Sequence, residues 1–321
     1  MVFERIITTK KLIHNASYSL FLGVIFTIIA FATSYVLFYR IASHQFIGIC
    51  TILFTVILAL PTVYYLLRYE TREEIIGKAP FFQRHRAIID FFIYFFIGVF
   101  ITLFILSLMN PTLVFSEENL YGRETGINLA IAEQLEGIPP PPIPQQQNEI
   151  VMIFENNLLV MLICFALSFF YGSGALLILI LNASIFASAL ARVILIQSGK
   201  AIGFLPSTSL IACNLGIMFF HMIPEVGSYL LAAIAGGVLS KAIVREKFSF
   251  TKFWPVLKSS IFLLVFAIII LLFAAIIEVK ISKALFMLNV CINNKLIILI
   301  ITAIIIIGVV FFEYWRKRKS R

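Results

Sequence analysis

The sequence predicts an all-α membrane protein, a polytopic bundle of transmembrane helices. Of its 321 residues, 61% are apolar and only 13% are charged, whereas a soluble domain carries about a quarter charged residues. The mean hydropathy is +1.03. The charged residues gather between apolar stretches that are long enough to cross a hydrocarbon core, which takes about twenty helical residues. These observations exclude a soluble globular fold.

Seven apolar stretches have the length of a membrane-spanning helix. They are Tyr18–Tyr39, His44–Leu67, Ile88–Met109, Ile150–Tyr171, Ser173–Gln197, Val256–Lys280 and Lys295–Phe312. A longer apolar region, Gly203–Ala242, contains Pro224. Because proline suits the first turn of a helix, we predict a broken helix near His221–Glu225, with a new helix beginning at Pro224 and Glu225 in its first turn.

The distribution of Lys and Arg predicts the orientation, because basic residues in short loops are retained in the cytoplasm. The amino terminus, Arg68–Arg86, Lys241–Phe253 and the carboxyl-terminal tail are basic, whereas Asn110–Glu149 has one basic residue and six glutamates. We therefore expect cytoplasmic N- and C-termini, an external 110–149 linker and eight net crossings. Nine crossings are the alternative, if the region around Pro224 spans twice.

The chain divides into three predicted parts: residues 1–149, with three helices and the acidic linker; a membrane core at 150–281; and 282–321, with a final helix and a basic tail. The linker contains the run Pro139–Pro142, which favours an extended polyproline conformation. This segment is either a stiff spacer or a docking site for a partner. The expected partners are the lipid bilayer and other membrane proteins or a second copy. Nucleic acid is not expected, because no soluble domain presents the basic residues.

Ionisable groups at membrane depth are costly and often functional, and the candidates in the predicted spans are His221, Glu225 and Glu278. We expect them to form one polar cluster in which His221 donates a hydrogen bond to the Glu225 carboxylate. Two close carboxylates repel each other unless a proton or a cation joins them. A purely structural polar clamp is equally consistent with these residues.

Catalytic and metal-binding motifs are not apparent in the sequence. It lacks a Gly-x-Ser-x-Gly elbow, a His-Glu-x-x-His pair and a phosphate-binding loop, and a metal centre needs three or more ligands. We therefore expect no catalytic residue, no metal and no cofactor. The four cysteines show no metal-ligand spacing and no disulfide framework, and we interpret them as small packing residues.

A series of short motifs resembles the stage II sporulation protein M family between Phe154 and Glu278. Two family glycines are replaced, by Ala183 after Asn182 and by Met222 in His221-x-x-x-Glu225. The resemblance implies a non-enzymatic membrane component. The residues predicted to shape helix ends or close packing are Asn156, Asn157, Gly172, Gly174, Asn182, Pro224, Gly236 and Gly237.

Three functions from different classes are compatible with these features. A scaffold or assembly subunit is favoured by the family resemblance and the long external linker. A permease or transporter subunit is the alternative, favoured by the predicted broken helix with Glu225 and by Glu278. An intramembrane hydrolase is the least favoured, because too few ligands or catalytic groups occur together.

Overall fold

A computed structural model describes residues 17–40, 45–76, 86–109, 149–171, 174–198, 208–246 and 250–293. Every regular element in these ranges is helical, which confirms the all-α prediction. The seven long helices are α1 (Ser17–Phe38), α2 (Gln45–Ile76), α3 (Arg86–Met109), α4 (Glu149–Tyr171), α5 (Ala175–Ser198), α6 (Thr208–Glu246) and α7 (Phe250–Ile277). Helix α7 is followed by a five-residue π-helix, Glu278–Ser282, and by two short helices, α8 (Lys283–Met287) and α9 (Val290–Asn293).

All seven long helices are apolar enough to cross a bilayer. Large apolar side chains lie on their outer faces; Phe170 is 73% exposed and Phe262 is 71% exposed. A bilayer covers such a surface with hydrocarbon, and each helix satisfies its own backbone groups there. The polytopic membrane fold is thereby confirmed. The predicted final span, Lys295–Phe312, and the linker at 110–148 lie outside the described residues.

The helices pack in two groups that meet at α6. Helix α1 packs against α2 and α3, and α3 packs against α5, around a core that includes Phe91, Phe95 and Leu190. Helices α4 and α7 pack against α6 around a second core that includes Met161, Tyr229 and Leu271. Residues in the middle of α6 therefore lie between the two cores.

Helices α1 and α3 cross at a pair of glycines. A Cβ atom on Gly23 would lie 2.5 Å from the carbonyl oxygen of Phe95, and one on Gly98 would overlap the carbonyl of Leu20. Small residues at such a crossing let two backbones approach closely, which strengthens packing between membrane helices. This contact holds the first helix on the rest of the bundle.

The structure corrects the predicted break in the apolar region around Pro224. Helix α6 is continuous from Thr208 to Glu246, with Pro224 inside it. Glu225 therefore lies in the middle of a helix and not in a first turn. Proline removes one helical hydrogen bond, but a membrane bundle supports the backbone around it through neighbouring helices. Here α4, α5 and α7 all pack against α6.

The structure also corrects the interpretation of two cysteines. Cys213 on α6 and Cys291 on α9 form a disulfide that joins residues 78 positions apart in the sequence. Cys164 is buried and free, as expected for a packing residue, and Cys50 is free and partly buried. The disulfide ties the end of the described chain to the start of α6, so α8 and α9 lie against the bundle.

Candidate functional site

Two acidic side chains are buried where α6 meets the π-helix. Glu225 is only 5% exposed and Glu278 only 7% exposed. The two carboxylates interact electrostatically. We call Glu225 and Glu278 the acidic pair. The structure thus brings together two of the three residues that were predicted to cluster, from positions 53 residues apart in the sequence.

Tyr229 completes this group from one helical turn beyond Glu225. Its hydroxyl donates a hydrogen bond of 2.8 Å to Oε1 of Glu225. The Tyr229 side chain is fully buried and also interacts electrostatically with Glu278. The backbone of Tyr229 is held by α4, because its carbonyl oxygen accepts a contact of 3.5 Å from Sγ of Cys164.

Glu278 owes its position to the π-helix that begins with it. Ala274 and Ala275, the residues of α7 that precede it by one turn, are buried, so a neighbouring helix can approach there as predicted. The wider turn of a π-helix changes the direction of the side chains in it, and such turns are common at functional sites. Ser282, the last residue of the π-helix, is fully buried as well.

His221 makes a different contact from the one predicted. Its Nδ1 lies 2.8 Å from Oγ of Ser282, and the Ser282 hydroxyl donates to the carbonyl oxygen of Ile217 at 3.1 Å. Because that hydroxyl has a single proton, both contacts are satisfied when Nδ1 of His221 carries a hydrogen and donates it to Ser282. His221 therefore fastens the π-helix to α6, while Tyr229 is the donor to Glu225.

An ion pair lies beside the acidic pair at the start of α4. Nζ of Lys283 pairs with Oε1 of Glu149, and both residues interact electrostatically with Glu278. Their side chains are 18% and 34% exposed, so they are more accessible than the acidic pair. We call the part of the bundle that holds Glu149 and Lys283 the ion-pair end. It adjoins the predicted 110–149 linker, of which Glu149 is the last residue.

The residues predicted to shape helix ends and close packing lie at different places in the bundle. Asn182 is buried and donates to the carbonyl of Ile178 at 2.8 Å within α5, whereas Asn156 and Asn157 are partly buried on α4. Gly174 lies in the turn before α5, against the backbone of Leu167. Gly172 lies outside the described residues.

The two adjacent glycines of α6 differ in their surroundings. A Cβ atom on Gly236 would overlap the carbonyl oxygen of Phe165 on α4, so the backbones of α4 and α6 touch there. A Cβ atom on Gly237 would meet no atom within 4 Å. Only Gly236 therefore permits the close packing that was predicted for both.

Four residues that contribute contacts here were not predicted from the sequence: Tyr229, Ser282, Lys283 and Glu149. Tyr229 could have been found as a polar group one turn from Glu225, on the same helical face. No comparable pattern in the sequence indicated Ser282, Lys283 or Glu149, because their contacts depend on the π-helix and on the packing of α4.

The arrangement has the chemistry of a proton-binding or polar clamping site. It offers two carboxylates and one phenol in a buried position, with an ion pair beside them. Among the residues that the structure describes, no group of three or more His, Cys, Asp or Glu side chains could hold a metal ion.

Comparison with known proteins identifies one family. The family model described as Stage II sporulation protein M matches residues 87–283, which include α3 to α7, the acidic pair and the ion pair. No curated protein and no solved structure matches the chain significantly.

Proposed function

This chain belongs to the stage II sporulation protein M family, and from this premise we propose that it is a non-enzymatic assembly subunit of a membrane complex. In this role it binds other membrane proteins or a second copy of itself, and the 110–149 linker is the docking segment. The family membership and the composition of the linker support this function.

The observation that carries the proposal is the ion pair between Glu149 and Lys283. This ion pair fastens Glu149, the residue at which the linker rejoins the bundle, to α8. The disulfide from α9 to α6 holds the same segment a second time. Fixing this end of the linker restricts the positions that the linker can reach, and such a restriction lowers the entropy that binding costs.

We also propose that both termini are cytoplasmic and that the ion-pair end is extracytoplasmic. The distribution of Lys and Arg supports this orientation. The disulfide supports it independently, because Cys213 and Cys291 belong to the same part of the bundle as Lys283, and disulfides persist in oxidising compartments.

Co-purification in mild detergent tests the assembly role. In the test variant, Pro139–Pro142 is replaced by a Gly/Ser segment of equal length. In the matched control, Gln145–Gln147 are replaced by serine. We expect the parent and the control to retain the same associated proteins and the test variant to lose them. Equal recovery of these proteins with all three chains would contradict docking through the proline run.

A permease subunit is the second candidate, and the acidic pair favours it. Buried carboxylates at membrane depth are frequent along proton and ion pathways. Solute uptake into proteoliposomes tests this function with Glu225→Gln and Glu278→Gln. If the chain is a permease subunit, the parent protein supports uptake and both variants reduce it. If the chain is only an assembly subunit, uptake does not exceed that of empty vesicles.

A further inference from the structure

We propose that the acidic pair and Tyr229 form a buried binding site for one exchangeable proton, which reaches it from the ion-pair end. This inference goes beyond the assembly role and does not depend on it. It rests on the charge balance, the hydrogen bonding and the exposure of the described residues around Glu225 and Glu278.

The charge balance is the first argument. The charged side chains that interact with Glu278 are Glu225, Glu149 and Lys283. The one cation in this set, Lys283, is already paired with Glu149. The acidic pair thus has no counter-charge of its own in the described part of the chain. An unpaired ion away from water is strongly destabilised because it loses its hydration, and a single bound proton removes one of the two charges.

Hydrogen bonding is the second argument, and it shows which carboxylate of the acidic pair lacks a donor. Glu225 accepts a hydrogen bond from Tyr229. Glu278 is 7% exposed, and no donor among the described side chains reaches its carboxylate. The two carboxylates repel each other electrostatically, so a single proton, bound at the carboxylate without a donor, relieves this repulsion. No group of three or more His, Cys, Asp or Glu side chains in the described ranges could hold a metal ion, and the occupant that we propose is therefore a proton.

The exposure of the side chains gives the route. Glu149 is 34% exposed and Lys283 18%, whereas the acidic pair is almost fully covered. The other titratable groups that face this region are Cys164 on α4 and His221 on α6, and His221 is engaged with Ser282. Glu149 is the more accessible carboxylate and interacts electrostatically with Glu278, so the proton reaches the acidic pair from the ion-pair end.

Infrared difference spectroscopy tests the proposal on the full chain in lipid nanodiscs. A change of pH should produce a carbonyl band of a protonated carboxyl group that shifts in D₂O. We expect the parent and Glu155→Gln, a matched control on the exposed face of α4, to give the band. The variant Glu225→Gln/Glu278→Gln should lose it. Tyr229→Phe keeps both carboxyl groups and should shift the wavenumber of the band, because it removes the donor to Glu225.

Any one of three results would overturn the proposal when the double variant folds. The first is a parent protein without a titrating carboxyl band, and the second is a band that the double variant retains. The third is a band that added Na⁺ removes at constant pH, because the occupant would then be a metal cation. If the double variant does not fold, an unchanged band in Tyr229→Phe overturns the assignment to this site.

Discussion

At the scale of single residues, the position of ionisable groups at membrane depth predicted only part of the site. His221 and Glu225 were predicted to cluster because such groups are costly in a bilayer, but their predicted hydrogen bond does not form. Each residue instead has a partner that matches it better: Ser282 for His221 and Tyr229 for Glu225. Partners from distant segments depend on tertiary packing, which the spacing of residues on one helix does not encode.

The hydrogen bond from Tyr229 to Glu225 should contribute measurably to stability. Tyr229→Phe removes the donor and leaves a buried carboxylate oxygen without it. We expect a loss of about 0.5–1.5 kcal/mol in the free energy of unfolding, the range for hydrogen bonds in membrane bundles. The control is Tyr64→Phe on the outer face of α2, where the side chain is 60% exposed. Equal stability of the two variants in detergent would contradict a stabilising role for this bond.

At the scale of helices, apolar length predicted the elements and misjudged one proline. The predicted spans agree with α1 to α7 because a bilayer allows few alternatives to a helix of about twenty apolar residues. The break predicted at Pro224 was wrong. Proline removes a helical hydrogen bond and often ends a helix, but in a membrane bundle neighbouring helices can support the backbone around it. Packing of α4, α5 and α7 supplies that support here. The π-helix at Glu278–Ser282 gave no recognised signal in the sequence.

The neighbouring glycines of α6 provide a matched test of helix packing. Gly236→Ala places a methyl group against the carbonyl of Phe165, and we expect it to cost about 1–3 kcal/mol of stability. Gly237→Ala meets open space and should be neutral or stabilising by up to about 1 kcal/mol. Thermal unfolding in detergent, with each variant compared with the parent, measures both effects. Destabilisation by Gly237→Ala as large as that by Gly236→Ala would be inconsistent with the described contact of α4 and α6.

At the scale of the whole molecule, covalent and ionic links hold the ion-pair end together. The disulfide between Cys213 and Cys291 closes a long loop, and its loss should reduce the free energy of unfolding by about 2–4 kcal/mol.

The number of free thiols tests the disulfide directly. Because Cys213 and Cys291 are paired, alkylation of the unfolded, unreduced protein followed by intact-mass measurement should detect two free thiols, Cys50 and Cys164. Cys213→Ser should add one reactive thiol and Cys50→Ser should remove one. Four alkylated cysteines in the parent would refute the disulfide.

The orientation of the bundle determines which side of the membrane receives the linker, the disulfide and the ion-pair end. Labelling of single introduced cysteines in intact cells tests this claim most directly. Gln146→Cys and Ser320→Cys are compared in a Cys50→Ser background, in which Cys164 is buried and the other two cysteines are paired. An impermeant thiol reagent should label position 146 in intact cells and position 320 only after permeabilisation. Labelling of position 320 without position 146 would invert the orientation, and labelling of both in intact cells would contradict eight crossings.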